Sequence, residues 1–205
     1  NHEALGELRK RKRRPFKPFA IMASSLEEAG SFLDIGPEER ALLCSKERPI
    51  VLLKETRPVV SRMVAPGLTW LGVMLPYAPF HHHLFSIDPG MVLVMTSGNV
   101  TDEPIEYRDD AVFERLGRIA DYFVTYDREI IGQGDDSVLY VVNRKPYFIR
   151  RSRGYVPVPF PSSDAPMNML AMGGDLKNSF AIARKNVIIM SQYLGDMADP
   201  LTYEV

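Results

Sequence analysis

Residues 155–166 constrain the fold of this 205-residue chain more than any other stretch, because they divide it in two. The segment YVPVPFPSSDAP holds four prolines and two serines and shows no helical period, which is the composition of a linker. Strand-like and helix-like segments alternate before it, whereas residues 167–205 carry a new pattern. We therefore predict one domain over 1–157, a proline-rich linker over 158–166, and the incomplete start of a second domain over 167–205.

The first domain is predicted to be α/β or α+β, with a twisted mixed sheet flanked by helices. Apolar or alternating runs predict strands at Phe19–Ala23, Pro49–Lys54, Leu71–Leu75, Met91–Thr96, Asp121–Tyr126, Val138–Val142 and Tyr147–Arg150. Capping residues and prolines predict helices from Ser25 to about Leu33, after Gly36, over Pro58–Gly67, from Pro79, and from Asp109-Asp110 to about Ile119. In the second domain, residues 167–205 predict two or three strands of an antiparallel meander.

The composition is that of an ordinary globular protein, with 45% hydrophobic residues, 25% charged residues and a net charge of −1. No apolar run approaches the roughly 20 residues needed to cross a bilayer, and the N-terminus lacks the features of a signal peptide. The single cysteine, Cys44, excludes an internal disulfide framework and suits a reducing compartment. We therefore expect a cytoplasmic protein without a membrane partner, and we expect Cys44 to lie in the core rather than act as a nucleophile.

A basic block, RKRKRRPFKP at Arg9–Pro18, packs seven cations into ten residues. Such a block suits the phosphates of a nucleotide or of a nucleic acid, although a localisation signal or a solvated helix end would give the same composition. The prolines favour an extended turn, so that Lys12, Arg14 and Lys17 can converge on one site. The other four cations are expected to be solvated, namely Arg9, Lys10, Arg11 and Arg13.

Two polar segments are further candidates for ligand binding. Thr96-Ser97-Gly98-Asn99 follows a predicted buried strand, which is where α/β sheets bind ligands, although an ordinary turn would have the same composition. In Asp135-Asp136-Ser137 the serine hydroxyl can contact a nucleotide, as can Arg150 or Arg151 after the next strand. The alternative is that the two aspartates simply pair with these arginines.

The run His81-His82-His83 does not predict a metal site. Consecutive residues of a helix point about 100° apart, so three in a row cannot converge on one ion. The sequence also lacks a Walker loop, a GxGxxG motif and an ordered Ser-His-Asp set.

Taken together, these motifs resemble the YrdC family, in which K-x-R-P…K, S-x-N and S-[TV]-V…R-x-G elements surround an acyl-adenylate pocket. The matching stretches here are Lys12–Pro15 with Lys17-Pro18, Thr96–Asn99, and Asp136–Val138 followed by Phe148–Arg151. Longer stretches are similar to the HypF family of hydrogenase-maturation carbamoyltransferases. These are LGVMLPYAPFHHHLF (Leu71–Phe85), VMTSGNVTDEPI (Val94–Ile105), RRSRGYVPVP (Arg150–Pro159), LAMGGDLKNSFAIAR (Leu170–Arg184) and SQYLGDMADPLTYE (Ser191–Glu204).

The HypF resemblance implies a YrdC-like domain followed by the first strands of an actin-like-ATPase-fold domain. It implies that carbamate from carbamoyl phosphate is joined to ATP, and that the carbamoyl group then passes to the C-terminal cysteine of HypE, the partner protein, for the cyanide ligands of nickel–iron hydrogenase. The implied catalytic residues are Lys12, Arg14 and Lys17, and the implied binding residues are Thr96, Ser97, Asn99, Ser137, Arg150 and Arg151. The implied cofactors are ATP and Mg²⁺, with zinc in zinc-finger-like modules that this sequence does not contain. The Gly173–Asn178 turn would border a second nucleotide site.

Two other functions remain as alternatives. A threonylcarbamoyl-adenylate synthase for tRNA modification would share the YrdC-like domain, but the continuation at Leu170–Glu204 argues against it. A module that binds double-stranded RNA or DNA through Arg9–Lys17 is disfavoured, because Phe16 is the one aromatic residue within the block.

Overall fold

The structure, a computed structural model, describes residues 1–101, 103–164, 168–200 and 202. Parts of the predicted linker and second domain, at 165–167, 201 and 203–205, lie outside this description, as does Asp102 in the HypF-like stretch. The chain forms two compact units. The first comprises Asn1–Lys10, Arg14–Thr96 and Asp136–Arg150, and the second comprises Arg11–Arg13, Ser97–Asp135 and Arg151–Val205. Within the described part of the chain, no helix combines the length and apolar character that membrane crossing requires.

The first unit is built on a seven-stranded mixed sheet. Its strands are β1 (Ala20–Ala23), β2 (Leu33–Asp34), β3 (Ile50–Glu55), β4 (Trp70–Met74), β5 (Val92–Met95), β6 (Val138–Val142) and β7 (Lys145–Arg150). The order across the sheet is β5-β1-β4-β3-β6-β7, with β2 paired to β3. The pairs β1–β4 and β3–β6 are parallel and the others are antiparallel, which confirms the predicted mixed sheet.

Four helices accompany this sheet: α1 (His2–Arg11), α2 (Leu26–Gly30), α3 (Pro37–Cys44) and α4 (Pro79–Ile87). The predicted cap of α2 is confirmed, because the Ser25 hydroxyl accepts the backbone N–H of Glu28 at 3.1 Å. The helix is shorter than predicted, because it ends at Gly30 and Leu33 already pairs with β3. Helix α1 was not predicted, and Pro58–Gly67 forms only a short 3₁₀ helix at Arg62–Val64.

Apolar side chains that point alternately to the two faces of the central strands form the core. Ile21, Val51 and Val73 share one face of the sheet through their pairing, and none of them is exposed. On the other face, Met22 and Met74 pack with Phe85 of α4. Because residues on both faces are buried, these strands appear in the sequence as continuous apolar runs, and this is why they were predicted correctly.

The β6–β7 hairpin joins the two strands that are predicted at Val138–Val142 and Tyr147–Arg150. Asn143 and Arg144 form the connection, with φ of 49° and 61°. A two-residue connection of this kind requires positive φ at both positions, which asparagine tolerates better than most residues.

The second unit contains α5 (Asp109–Leu116) and a four-stranded antiparallel sheet of β8 (Phe160–Pro161), β9 (Met169–Met172), β10 (Phe180–Arg184) and β11 (Val187–Met190). Strands β9, β10 and β11 form the predicted meander. Strand β8 lies within the predicted linker, where Phe160 pairs with Ile188 of β11. Part of that proline-rich segment is therefore sheet, while the domain boundaries themselves stay predictions.

The predicted strand at Asp121–Tyr126 is wrong, because the described residues 121–126 contain no strand. Tyr122 is 91% exposed and Val124 is 71% exposed. The Phe123 ring packs against Phe113 of α5, at 4.9 Å between centroids. Apolar alternation predicts a strand only where a sheet is available to receive it.

Two predictions near helix ends are also wrong. Cys44 is exposed at the end of α3, and its neighbour Leu43 is the residue buried in the core. Helix α5 begins with Asp109 inside its first turn, after an N-cap at Arg108 that makes no side-chain cap bond. It ends at Leu116 rather than near Ile119.

Candidate functional site

Arg9 is a structural crosslink of the first unit, so the prediction that it is solvated is wrong. It lies one turn after Leu5 on α1, and its residue is only 6% exposed. Its guanidinium donates at 2.5–3.3 Å to the backbone carbonyl oxygens of Met63, Val64, Arg14, Pro15 and Lys17. Burial lowers the pKa of Arg9, which nevertheless remains a cation at neutral pH.

Arg14 and Thr96 are two predicted site residues that the first unit brings together. Arg14 Nη1 lies 3.3 Å from the Thr96 hydroxyl, and its Nε donates to the Lys17 carbonyl at 3.2 Å. Its Nη2 donates to the carbonyl of Pro18, and the guanidinium carbon lies 4.7 Å from the Phe19 ring centroid. The cation is therefore fixed in direction by its own turn, while the side chain of Lys17 is exposed.

Lys12, Ser97 and Asn99 are brought together in the second unit. Lys12 is only 1% exposed. Its ammonium donates to the Ser97 carbonyl at 2.7 Å, to the Asn99 carbonyl at 2.8 Å and to Asn99 Oδ1 at 3.2 Å. The Thr101 hydroxyl donates to the carbonyl of Lys12, a contact that the sequence did not indicate. The lysine is thus enclosed by the segment that was predicted to bind ligand.

The segment after β5 is held by hydrogen bonds among its own residues. The Ser97 hydroxyl donates to Asn99 Oδ1 at 2.7 Å, and Asn99 Nδ2 donates to the Glu103 carbonyl at 2.6 Å. Further along, the Glu106 N–H donates to the Gly98 carbonyl at 2.8 Å. Several independent bonds therefore fix the backbone of the described residues 97–101 and 103–106, and we call this stretch of the chain the 97–106 loop.

Arg115 of α5 anchors the far end of the 97–106 loop. Its two terminal nitrogens lie 2.9 Å from Glu103 Oε2 and 3.0 Å from Glu106 Oε2. The hydrogen bond with Glu103 is the largest cause of a raised pKa for Arg115. Sequence spacing alone did not reveal this pair of contacts, because both glutamates precede the helix.

The other cations of the basic block divide into two groups. Arg11 donates to the Ile119 carbonyl at 3.1 Å and to Asp121 Oδ1 at 2.7 Å, with 29% of its side chain exposed. The prediction that Arg11 is solvated is therefore wrong. Lys10 and Arg13 are exposed, as predicted.

In the first unit, the β6–β7 hairpin brings Arg150 to the residues that precede β6. Arg150 Nε donates to the Asp136 carbonyl at 2.8 Å. Ser137 is fully buried, and its carbonyl accepts the N–H of Ile50 at 2.8 Å. The predicted contacts of Ser137 and Arg150 with a nucleotide stay predictions.

Arg151, in the second unit, packs against the end of the proline-rich segment. Its Nη2 donates to the Val158 carbonyl at 3.0 Å, and its guanidinium carbon lies 5.2 Å from the centroid of the Phe160 ring. Burial lowers the pKa of Arg151. Its predicted role in ligand binding likewise stays a prediction.

The Gly173–Asn178 turn is held by backbone and carboxylate contacts within the second unit. The Lys177 N–H donates to Asp196 Oδ1 at 2.6 Å, and the Asn178 N–H donates to the Gly195 carbonyl at 2.8 Å. A role of this turn in nucleotide binding stays a prediction.

The histidine run lies in the first turns of α4. His81 Nδ1 accepts the Ala78 N–H at 3.4 Å, and the His81 ring packs edge-on against Tyr77 at 4.6 Å. Across the residues that the structure describes, no group of three or more histidines, cysteines or acidic residues is placed to hold a metal ion.

Two family models match the chain. The one described as "Telomere recombination", for the Sua5, YciO and YrdC proteins, matches residues 1–152. The one described as "HypF Kae1-like domain" matches residues 164–205.

Individual HypF proteins also match this chain, over its whole length. Carbamoyltransferase HypF2 of Cupriavidus necator is 42% identical over 100% of this chain and 28% of the relative. The crystal structure of full-length HypF in its phosphate- and nucleotide-bound form superposes with a TM-score of 0.93 at 39% identity, over 100% of this chain and 27% of that one. Sua5 of P. abyssi complexed with L-threonine, at 20% identity and a TM-score of 0.63 over 74% of this chain and 45% of that one, shares the fold. This chain thus spans little more than a quarter of the length of the HypF proteins it matches.

Proposed function

The chain belongs to the HypF family of carbamoyltransferases, and from that premise we propose that it forms carbamoyl-adenylate from ATP and the carbamate of carbamoyl phosphate. A carbamate oxygen attacks the α-phosphorus of ATP, the bond from that phosphorus to the bridging oxygen breaks, and pyrophosphate leaves. The sulfur of the C-terminal cysteine of HypE then attacks the carbamoyl carbon, the bond from that carbon to the phosphate oxygen breaks, and AMP leaves as the thiol gives up its proton. The resulting thiocarboxamide is the source of the cyanide ligands of nickel–iron hydrogenase.

The observation that carries this proposal is the fixed guanidinium of Arg14. Negative charge on the phosphoryl oxygens must be stabilised during adenylate formation, and cations that are already in place do this most effectively. The carbonyls of Lys17 and Pro18 accept hydrogen bonds from Arg14 and fix the direction of its guanidinium, and its Nη1 lies 3.3 Å from the Thr96 hydroxyl. We assign Arg14 and Lys17, an exposed residue, to the carbamate and the triphosphate.

The remaining predicted residues are assigned to the adenylate. Ser97, Asn99 and Ser137 supply polar groups, and Arg150 or Arg151 faces the phosphate or the ribose. A nucleotide as the ligand is supported by the structure of full-length HypF in its phosphate- and nucleotide-bound form, since that protein is 39% identical to this chain.

Mg²⁺ fits this assignment as a companion of ATP rather than as an ion bound by the protein alone. The described residues offer no cluster of three metal-binding side chains, and Mg²⁺ is commonly held largely by substrate phosphates and water. Bound in that way, it would offset charge on the triphosphate oxygens.

The test is ATP–pyrophosphate exchange that depends on carbamoyl phosphate, measured in the full-length protein. Arg14→Ala and Lys17→Ala should each lower the exchange rate by about 10²-fold or more, because each removes a cation from the developing charge. Lys10→Ala is the matched control, since Lys10 belongs to the same basic block and is exposed. Wild-type rates in both site variants would refute the assignment.

The same assay separates the proposal from the tRNA-modification alternative. Exchange that requires threonine and bicarbonate, and does not respond to carbamoyl phosphate, would identify a threonylcarbamoyl-adenylate synthase instead. The shared fold with Sua5 does not distinguish the two activities, because the identity is only 20%.

A further inference from the structure

We propose that Lys12 is a positioning residue that orients the backbone of the 97–106 loop, so that the N–H groups of Gly98 and Val100 face the anionic substrate. The inference rests on the proposed function, since the anion would be a phosphoryl or carbamoyl oxygen of the adenylate. It replaces the direct contact between Lys12 and phosphate that the sequence suggested.

The surroundings of Lys12 support a role through the loop. An ammonium group has three donors, and the structure places three oxygens around it, from Ser97 and Asn99, at 2.7–3.2 Å. The residue is only 1% exposed. A phosphate could reach this ammonium only by displacing carbonyl oxygens that already form charge-assisted hydrogen bonds.

Peptide geometry then fixes the direction of two N–H groups. A trans peptide is planar, so its N–H points opposite to its C=O. Among the described residues the cis peptide is Val156-Pro157, so the Ser97-Gly98 and Asn99-Val100 peptides are trans. Because the carbonyls of Ser97 and Asn99 point at the ammonium, the N–H groups of Gly98 and Val100 point to the opposite side.

The side chains of Ser97, Asn99 and Thr101 help to keep this arrangement. Asn99 Oδ1 accepts from both Lys12 and the Ser97 hydroxyl, while Asn99 Nδ2 donates to the Glu103 carbonyl. The Thr101 hydroxyl in turn holds the backbone of Lys12. Ser97 and Asn99 thus maintain the loop, and the groups that the loop offers to an anion include the backbone N–H groups of Gly98 and Val100.

The first test observes the loop without any ligand. In full-length protein with ¹⁵N-labelled glycine, the Gly98 amide resonance is assigned through Gly98→Ala. Lys12→Met should shift or broaden that resonance, because the carbonyls lose the group that orients them, whereas Lys17→Met should leave it unchanged. A Gly98 resonance unaffected by Lys12→Met would overturn the proposal.

A second test uses lysine acetylation read by mass spectrometry. Lys12 should resist acetic anhydride both with and without ATP, while the exposed Lys10 should react in both conditions. A Lys12 that reacts in the free protein and is protected by ATP would be a direct ligand contact, and the proposal would be wrong.

Kinetics complete the comparison. Lys12→Met should lower kcat/KM for exchange by about 10²-fold, comparable to the loss of an anion-stabilising donor. If that variant does not fold, Thr101→Val loosens the same clamp from the backbone side and should move the Gly98 resonance as well. An unchanged resonance in folded Thr101→Val would count against the proposal.

The outcomes separate this inference from the proposed function. Absence of exchange in the wild-type protein would refute the function, while the ligand-free Gly98 signal would still report whether Lys12 orients the loop. Normal wild-type exchange with an unaffected Gly98 signal in Lys12→Met would refute the inference alone.

Discussion

Replacing Arg9 with methionine should destabilise the protein strongly, even though Arg9 belongs to a block of surface-type residues. The residue is 6% exposed, and its shortest hydrogen bonds reach the Met63 carbonyl at 2.5 and 2.8 Å and the Arg14 carbonyl at 2.7 Å. Methionine keeps most of the aliphatic packing but leaves these carbonyls without their donor.

The expected loss is about 2–4 kcal/mol. Hydrogen bonds from a charged group contribute about 1.5–3 kcal/mol each, and the two carbonyls just described would lose theirs. Part of this loss is offset, because methionine removes the cost of burying the guanidinium charge. The weaker bonds of Arg9 to Val64, Pro15 and Lys17, at 3.2–3.3 Å, add little to the sum.

Urea denaturation of Arg9→Met and of the matched control Lys10→Met measures the difference. Lys10 is the next residue of α1 and is exposed, so its variant should lie within about 0.5 kcal/mol of the wild type. The slope with urea should be unchanged in both, so that the midpoint reports stability. An Arg9→Met midpoint equal to that of Lys10→Met would refute the view of Arg9 as a structural crosslink.

Two smaller predictions concern α5 and the loop before it. Arg115→Met should lower the free energy of unfolding by about 1–2 kcal/mol, as measured by urea denaturation. The variant leaves the Glu106 carboxylate, with only 6% of its side chain exposed, without its cation, while the partial exposure of Arg115 screens the pair and limits the loss. Arg108→Met is the control and should lower the stability much less than Arg115→Met, since both side chains of its pair with Asp110 are at least 60% exposed. The hydrogen bond from Arg108 holds the pKa of Asp110 below its usual range, so its contribution is complete above about pH 4 and is lost as the pH falls through the lowered pKa. Asp110→Asn should therefore reduce the fall in unfolding free energy that the wild type shows at acid pH. Parallel curves of unfolding free energy against pH for Asp110→Asn and the wild type would contradict this.

The sheet of the first unit could be predicted because its strands are buried on both faces. The run at Pro49–Lys54 becomes β3, and that at Leu71–Leu75 becomes β4, each within two residues of the predicted bounds. The strand predicted at Asp121–Tyr126 failed because its alternating apolar side chains remain exposed, as at Tyr122. The alternation of apolar residues is a property of one segment, whereas a strand also needs a neighbouring strand to pair with, and this depends on the whole fold.

The types of residue at the candidate site could be predicted from the sequence, but the structural role of each residue could not. The basic block indicated many cations, and the sequence could not show that Arg9 and Lys12 would be buried against carbonyl oxygens. The burial of Arg9 follows from helix α1, which the sequence did not predict. Leu5 and Arg9 are one turn apart on this helix, so both lie on its buried face. Few apolar residues mark that helix, so its periodicity was too weak to reveal the inward face.

Strand β8 affects more than the position of a domain boundary. It covers one edge of the four-stranded sheet with only two residues, and the second of them, Pro161, has no N–H to offer to another strand. A short edge that contains proline discourages intermolecular strand pairing. At the opposite edge, β9 presents Met-Leu-Ala-Met, four exposed residues without a charge. The proline-rich segment thus protects one side of this sheet from strand pairing, and within the described residues β9 is the side that favours such pairing.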